Sequence, residues 1–295
     1  MPEGTIIKAL SGFYYVKNGH KQIQCRARGL FRKQGISPLV GDHVVYEAEN
    51  GNDGYILSVK ARKNALKRPP IANVDLAVLV FSVAEPACDC VLLDRFLIAM
   101  ETQNIKSLIC FTKWDLLSES EQVSFRSRFA VYEQIGYHLI FTSCKQGEGL
   151  EKLKSSIQEK ISVVTGQSGV GKSTLLNHLD TSLNIETQAI SHALGRGKHT
   201  TRHVELLPVS LHGFVADTPG FSALTLPELT DSQLADCFPE FDQYREGCRF
   251  RGCMHLAEPD CMVKQAVAQG KISQSRYEHY RLFFHELSER ERNKY

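Results

Sequence analysis

Residues 165–174, TGQSGVGKST, concentrate more chemistry than any other stretch of the chain. Gly166, Gly171, Lys172 and Ser173 meet the spacing G-x-x-x-x-G-K-[ST], with the apolar run ISVVT before them and the helix-compatible STLLNHL behind. Glycines let the backbone through Gln167, Ser168, Gly169 and Val170 wrap a phosphate chain with its N–H groups turned inward. The following helix adds the positive end of its dipole. Lys172 can reach β and γ oxygens, and Ser173, followed by Thr174, can place a hydroxyl in a Mg²⁺ shell. A phosphate loop does not choose a base, but a second segment does. In TKWD, Thr112, Lys113, Trp114 and Asp115, the Asp115 carboxylate offers two acceptor oxygens to the N1 and N2 hydrogens of guanine, for which adenine has no equivalent. The stem of Lys113 would lie over the base, and Thr112 stands where such segments usually carry Asn. FTSCK follows one apolar run later, where the backbone of Ser143 and Cys144 can meet the guanine O6.

The third phosphate-side element is DTPG, residues 217–220. Asp217 there can hold Mg²⁺ through water, and the Gly220 N–H can sense a γ-phosphate. A Gln after such a motif often orients the attacking water; here Phe221 fills that place and has no hydrogen bond to give. His199, in the loop GRGKHTTRH at 195–203, is the candidate to take over, although a lone loop histidine is by itself more often an exposed side chain. Thr200 or Thr201 would supply a second hydroxyl to Mg²⁺. Arg196, Lys198 and Arg202 flank them, as phosphate contacts or as a solvated loop. A separate cluster lies in GCRFRGCMHLAEPDC. Cys248, Cys253, His255 and Cys261 have the spacing C-x4-C-x-H-x5-C, four soft ligands able to close a tetrahedron around one structural Zn²⁺, with Cys253 and His255 pointing the same way from an extended strand. The remaining cysteines, Cys25, Cys88, Cys90, Cys110, Cys144 and Cys237, lack ligand spacing and read as small buried side chains or as incidental.

These residues need elements to hold them. Continuous apolar runs at 74–83 and 107–112, then YHLIFTS, ISVVTG and GFVADTPG, alternate with helical patterns at LLDRFLIAMETQ, 119–135 and from 172 onward. That alternation predicts a parallel sheet covered by helices. Before it, residues 1–66 carry ten Lys or Arg against five Asp or Glu, although the whole chain has a net charge of only +2. Their short Val-, Ile- and Tyr-rich runs, parted by NG, GD and NDG turns, predict an all-β barrel of the oligonucleotide-binding (OB) type, with an SH3-like barrel looking much the same. Arg26, Arg28, Arg32 and Lys33 around Phe31 can contact phosphates and stack on a base, or form a solvated basic loop. RKNALKRPP reads as a linker. After the cysteine cluster, SQSRYEHYRLFFHELSERE has helical spacing and an aromatic stripe suited to packing. No run approaches a membrane span, and an odd count of nine cysteines suits a reducing cytoplasm better than disulfides.

The order base reader, base-backing loop, phosphate loop, switch loop, DTPG resembles that of circularly permuted GTPases. With the basic barrel before it and the cysteine cluster behind it, the whole chain resembles the small-ribosomal-subunit-dependent GTPase A family of bacterial ribosome biogenesis. The resemblance implies an OB-fold barrel (1–66), a permuted α/β P-loop GTPase domain (67–224) and a mainly helical zinc-binding domain (225–295). It implies GTP hydrolysed to GDP with Mg²⁺, His199 as the catalytic residue, and the small subunit with its 16S rRNA as partner of a protein expected to be a cytoplasmic monomer. Two other readings fit parts of the sequence: an ATP-using P-loop enzyme, which leaves TKWD unexplained, and an RNA-binding assembly factor whose nucleotide site only regulates docking.

Overall fold

The computed structural model describes residues 1–293 apart from 30, 32–34, 49–52, 68, 180–203, 211 and 218–224. Contacts divide the chain into two compact units, 1–87 with 105–118 and 139–222, and 88–104 with 119–138 and 223–295. Chain order and spatial grouping therefore differ, because two sequence segments leave the first unit and return to it.

The first unit begins with strands β1 (Glu3–Leu10), β2 (Phe13–Asn18), β3 (Lys21–Ala27), β4 (His43–Ala48) and β5 (Asp53–Val59). They close a barrel in the order β1-β2-β3-β5-β4, with β3 and β5 parallel and the other pairs antiparallel. This is the OB-type barrel that the turn spacing predicts. The stretch TIIKALSGFYYVK holds two of these strands, because Ser11 and Gly12 both take positive φ and turn β1 into β2. Alternation turns Ile6, Val16, Ile23, Val44 and Ile56 inward. Phe31 is also buried, at 6% exposure, so its ring belongs to the core and is unavailable for stacking on a base. Arg26 instead lies over Phe13, 4.8 Å from the ring centre. Arg32 and Lys33 lie outside the described residues.

The expected linker is itself structured as a small hairpin, β6 (Ala65–Lys67) with β7 (Pro70–Ala72). It returns to the barrel where Gly41, at φ +90°, passes so close that a Cβ there would stand 2.1 Å from the Ala72 carbonyl oxygen. The Ala72 N–H donates to the Val40 carbonyl at 2.8 Å.

A six-stranded sheet follows, in the order β10 (His138–Phe141), β9 (Lys106–Thr112), β8 (Leu76–Ser82), β11 (Ile161–Thr165), β13 (Phe214–Asp217), β12 (Leu206–Pro208). Pairings β9·β8, β8·β11 and β11·β13 are parallel. Every residue of β8 and β11 is buried, which is why these strands read as unbroken apolar runs. The sheet is not purely parallel: β12 pairs antiparallel with β13 at the edge. Three residues ending in Pro208 were too short to register as a strand in the sequence pattern. At the start of β12, Glu205 bridges Lys8 of β1, and their side chains form an ion pair at 2.8 Å. Two helices of this unit, Leu150–Ile157 and Lys172–Leu179, bury Leu153, Ile157, Leu175 and Leu176 with Val78, Leu108, Val164 and Val215 of the sheet.

The second unit packs helix Cys90–Glu101 and helix Glu119–Gln134 with the C-terminal helices, chiefly Asp231–Asp236, Met262–Ala268 and Gln274–Arg292. Its core joins Ile98, Leu234, Phe238, Phe241, Val263, Tyr280, Phe283 and Leu287. The aromatic stripe of the last helix is thus a packing face, with the Tyr280 ring edge-on to Phe238 and Phe241. Beneath it lies an ionic cluster that the sequence pattern concealed. Arg276, 2% exposed, pairs in a two-pronged fashion with Glu240 (2.7 and 3.0 Å) and reaches Asp94 Oδ1 at 2.5 Å. Tyr132 Oη also donates to that oxygen, and His279 Nδ1 meets Asp94 Oδ2 at 2.5 Å. Buried charges persist only when paired in this way. Among the described residues no helix is long and apolar enough to cross a membrane.

Candidate active site

Because β8, β9, β11 and β13 run parallel, their carboxyl ends emerge on one border of the sheet, where ligands of open α/β folds bind. That border carries TKWD after β9, the phosphate loop after β11 and Asp217 at the end of β13. Segments distant in sequence are therefore neighbours here.

The phosphate loop starts with Gly166 at φ +152°, against β8. A Cβ at this position would lie 2.0 Å from the Val80 carbonyl oxygen, so only glycine lets the loop leave the sheet on this path. Gly169 and Gly171 also take positive φ, +83° and +92°. Lys172 opens the helix Lys172–Leu179 and folds its ammonium over the loop, donating to the carbonyls of Gly166 (2.8 Å) and Gln167 (2.6 Å). Val170 is buried within the α/β core and anchors the loop from below, leaving Ser168 and Gly169 exposed. Ser173 and Thr174 follow in the first turn of the helix, where N–H groups lack intrahelical partners.

TKWD is fastened to this loop. Thr112, 3% exposed, has its hydroxyl 2.5 Å from the Val170 carbonyl oxygen and 3.2 Å from that of Phe81. Lys113, in the left-handed region at φ +61°, sends its ammonium along the same route to the Gly169 carbonyl at 3.0 Å and to that of Glu85. The TKWD segment and the glycine-rich loop are thus one bonded piece. Threonine in the place of asparagine keeps a donor on the loop, which answers what that departure does locally. The Trp114 ring is buried against Phe141, and the backbone N–H of this residue donates to the Thr142 carbonyl. It is a foundation for the segment, holding Asp115 up at the surface of a short 3-10 turn, Trp114–Leu116.

Asp115 has a partner that the sequence reading did not assign. Ser143 Oγ donates to Asp115 Oδ1 at 2.6 Å and accepts from the Gln146 N–H at 3.1 Å. Ser143 therefore orients the carboxylate. Its own N–H donates to the Glu148 carbonyl, so the expectation that the Ser143 amide faces a base oxygen gives way, and the backbone of Cys144 is left for that part. Burial, with Asp115 nearby, raises the Cys144 thiol above its ordinary range and keeps it protonated. Gly220, Thr200, Thr201 and His199 lie outside the described residues, as do Phe221, Arg196, Lys198 and Arg202; Asp217 is described as the last residue of β13.

In the second unit, Cys248, Cys253, His255 and Cys261 come together with their ligand atoms all within 4.8 Å of one another. His255 Nδ1 lies 3.7 Å from Cys248 Sγ and 3.4 Å from Cys261 Sγ, and those two sulfurs are 3.9 Å apart. Tetrahedral Zn–S bonds of about 2.3 Å imply ligand separations near 3.8 Å, so these residues fit zinc. They meet without the expected strand: His255 and Asp260 both take positive φ, and turns bring the ligands round. Tyr277 and Tyr280 donate to the carbonyls of His255 and Met254, while Glu258 accepts from the N–H groups of Met254 and Leu256. Such outer partners fix ligand orientation. Burial pushes the Cys253 thiol up to about 12, raises Cys261 and lowers His255, so loading a metal must release thiol protons. The outlying thiols divide: Cys25, Cys110 and Cys237 are buried as expected, whereas Cys88, Cys90 and Cys144 are half-exposed.

Comparison with known proteins gives a consistent result. Residues 59–227 match the family described as RsgA GTPase, and residues 3–56 match the RsgA N-terminal domain. The chain is 52% identical over 292 residues to a protein of Shouchella clausii, covering 99% of each, and 54% identical over 290 residues to one of Bacillus cytotoxicus, covering 98% of this chain and 99% of the other. Both relatives are named small ribosomal subunit biogenesis GTPase RsgA. Among solved structures, YloQ, described as a circularly permuted GTPase, superposes with a TM-score of 0.85 at 45% identity, covering 98% of this chain and 96% of that one. YjeQ from Thermotoga maritima gives the same TM-score at 35% identity, with 97% and 98% covered.

Proposed function

This chain belongs to the RsgA GTPase family, a family of small-ribosomal-subunit biogenesis, and from that premise we propose that it hydrolyses GTP late in subunit maturation, with the subunit itself stimulating turnover. The observation that carries the reading is the bonding of Thr112 and Lys113 to the phosphate loop, since a nucleotide gripped by residues 166–174 then has its base delivered to Asp115. Asp115, steadied by Ser143, accepts the N1 and N2 hydrogens of guanine. The aliphatic stem of Lys113 lies along the base and the Cys144 amide meets O6. Lys172 exchanges its loop carbonyls for phosphate oxygens.

Ser173, Asp217 and one of Thr200 and Thr201 are the residues to hold Mg²⁺, which neutralises charge developing on the phosphates. Gly220 senses the γ-phosphate. His199 positions the attacking water, because Phe221 stands where a water-orienting Gln is common. Cys248, Cys253, His255 and Cys261 hold a structural Zn²⁺ with no open position for a reaction. The barrel, basic by sequence and presenting Arg26 over Phe13, contributes contacts to 16S rRNA. The division into 1–66, 67–224 and 225–295 remains our domain assignment, and the protein acts as a cytoplasmic monomer.

The test is GTP hydrolysis titrated with purified small subunits, large subunits and bare RNA, for the natural protein and for His199→Ala. Stimulation by the small subunit alone, lost in His199→Ala, is expected. Equal stimulation of both proteins would remove His199 from the mechanism, and stimulation by large subunits would overturn the choice of partner.

A further inference from the structure

Cys88 and Cys90 are left over from both the nucleotide site and the zinc cluster. Asp89 between them is extended (φ −83°, ψ 108°) and caps the helix Cys90–Glu101, accepting from the N–H groups of Val91 (2.9 Å) and Leu92 (3.1 Å). Residues on either side of an extended one project to the same face, so the two sulfurs come into each other's reach. Cys90 is the first residue of the helix, where the peptide dipoles favour negative charge. From the neighbouring helix Glu119–Gln134, the Arg128 guanidinium donates to Cys90 Sγ at 3.6 Å. Both thiols are half-exposed.

From this juxtaposition of two thiols, a helix start and a guanidinium, we propose that Cys88 and Cys90 form a modification site that hydroperoxides oxidise to an intramolecular disulfide. Cys90 is the attacking sulfur. A hydrogen bond from Cys88, with Arg128 beside it, outweighs burial and the repulsion of Asp94 and holds its thiol down at about 6. Cys88 keeps its proton, raised by the same hydrogen bond and by burial. The other titratable groups felt around Cys90 are Tyr132 and His279, with Asp89 beside Cys88.

The chemistry closes on itself. The Cys90 thiolate attacks one oxygen of a hydroperoxide; an S–O bond forms, the O–O bond breaks, sulfur loses two electrons to the peroxide, and hydroxide or alkoxide leaves to be protonated by water. The sulfenic acid of Cys90 is then attacked by Cys88 as it gives its proton to solvent; the S–S bond forms, the S–O bond breaks, and the departing hydroxide is protonated to water. With hydrogen peroxide the sum is two thiols and one peroxide giving one disulfide and two waters.

The experiment exposes the full-length, zinc-loaded protein to equimolar hydrogen peroxide at pH 7, blocks free thiols with N-ethylmaleimide, and maps cysteines by peptide mass spectrometry. The tryptic peptide that carries Cys88 and Cys90 holds no other cysteine, so its loss of two hydrogens and its escape from alkylation identify the pair. We expect that form to accumulate before Cys248, Cys253 or Cys261 is oxidised. Arg128→Gln should slow it several-fold, because it removes the guanidinium's share of what holds the Cys90 thiol down while the hydrogen bond from Cys88 remains. Cys88→Ser should stop at a dimedone-trapped sulfenic acid on Cys90, whereas Cys90→Ser should leave Cys88 unmodified. The assignment is overturned by a doubly alkylated peptide after the zinc cysteines have reacted, by an unchanged rate in Arg128→Gln, or by dimedone labelling of Cys88 in preference to Cys90. Retained GTP hydrolysis by each variant excludes misfolding as the cause.

Discussion

At the scale of single residues, the nucleotide site depends on hydrogen bonds between side chains that sequence spacing alone does not pair. Asp115 is visible in the sequence as an acceptor of guanine donors, and Ser143 as a neighbour of the base. That the second holds the first, through one 2.6 Å bond, depends on where the loop after β10 lands relative to the 3-10 turn after β9. Asp115→Asn replaces two acceptors with one acceptor and one donor, and should exchange a preference for guanine nucleotides for xanthine nucleotides, about tenfold or more in each direction. Competition binding with GDP and XDP reads this directly, and unchanged discrimination would reject Asp115 as the base reader. Thr112 shows the converse case. By type it is a departure from the usual asparagine, and only its 2.5 Å approach to the Val170 carbonyl shows that the departure preserves the tie to the phosphate loop.

At the scale of elements, apolar runs and glycine spacing made the sheet and the phosphate loop legible, because burial on both faces and positive φ leave strong marks on residue type. The edge strand β12 left no such mark, and neither did the left-handed turn at His255. The ionic cluster beneath the last helix was hidden for another reason: Arg276 and His279 look like the solvated side of an amphipathic helix, and their partners Asp94 and Glu240 come from remote segments. Arg276→Leu should therefore destabilise the second unit by about 3–5 kcal/mol, since Asp94 and Glu240 are left buried without their cation. Denaturant unfolding measures this; a loss below about 1 kcal/mol would show the cluster to be wet. His279 adds a pH dependence of known sign. Its hydrogen bond to Asp94 raises the imidazole above its ordinary value, so the folded state binds the proton more tightly than the unfolded chain. That stabilisation is fully present below about 6.5 and is lost as pH rises through the raised folded value. Melting temperatures from pH 5.5 to 8.5 should show this decline in the natural protein and a flatter profile in His279→Gln.

At the scale of the whole molecule, the permuted motif order ceases to be a puzzle once the strand order is known. Base segment, phosphate loop and Asp217 leave from β9, β11 and β13, all on one border of a sheet that does not depend on which strand is translated first. Among the described residues the barrel is joined to that sheet by the hairpin at 65–72, where Lys8 of β1 meets Glu205, and where the Lys17 ammonium of β2 lies over the Phe214 ring of β13. A half-exposed ion pair contributes little to stability, about 0–1 kcal/mol. Lys8→Ala should thus leave thermal unfolding and unstimulated hydrolysis almost unchanged while lowering the stimulation given by small subunits. Full stimulation of Lys8→Ala would show that the pair has no part in it.

The position of that pair has a mechanical meaning. Val204 alone stands between Glu205 and the stretch ending at His203, in which His199 and its threonines are written. A partner that held the barrel would also hold one end of the short length of backbone in which His199 is written, and on our proposal that is how recognition by the barrel would be coupled to bond cleavage at the nucleotide.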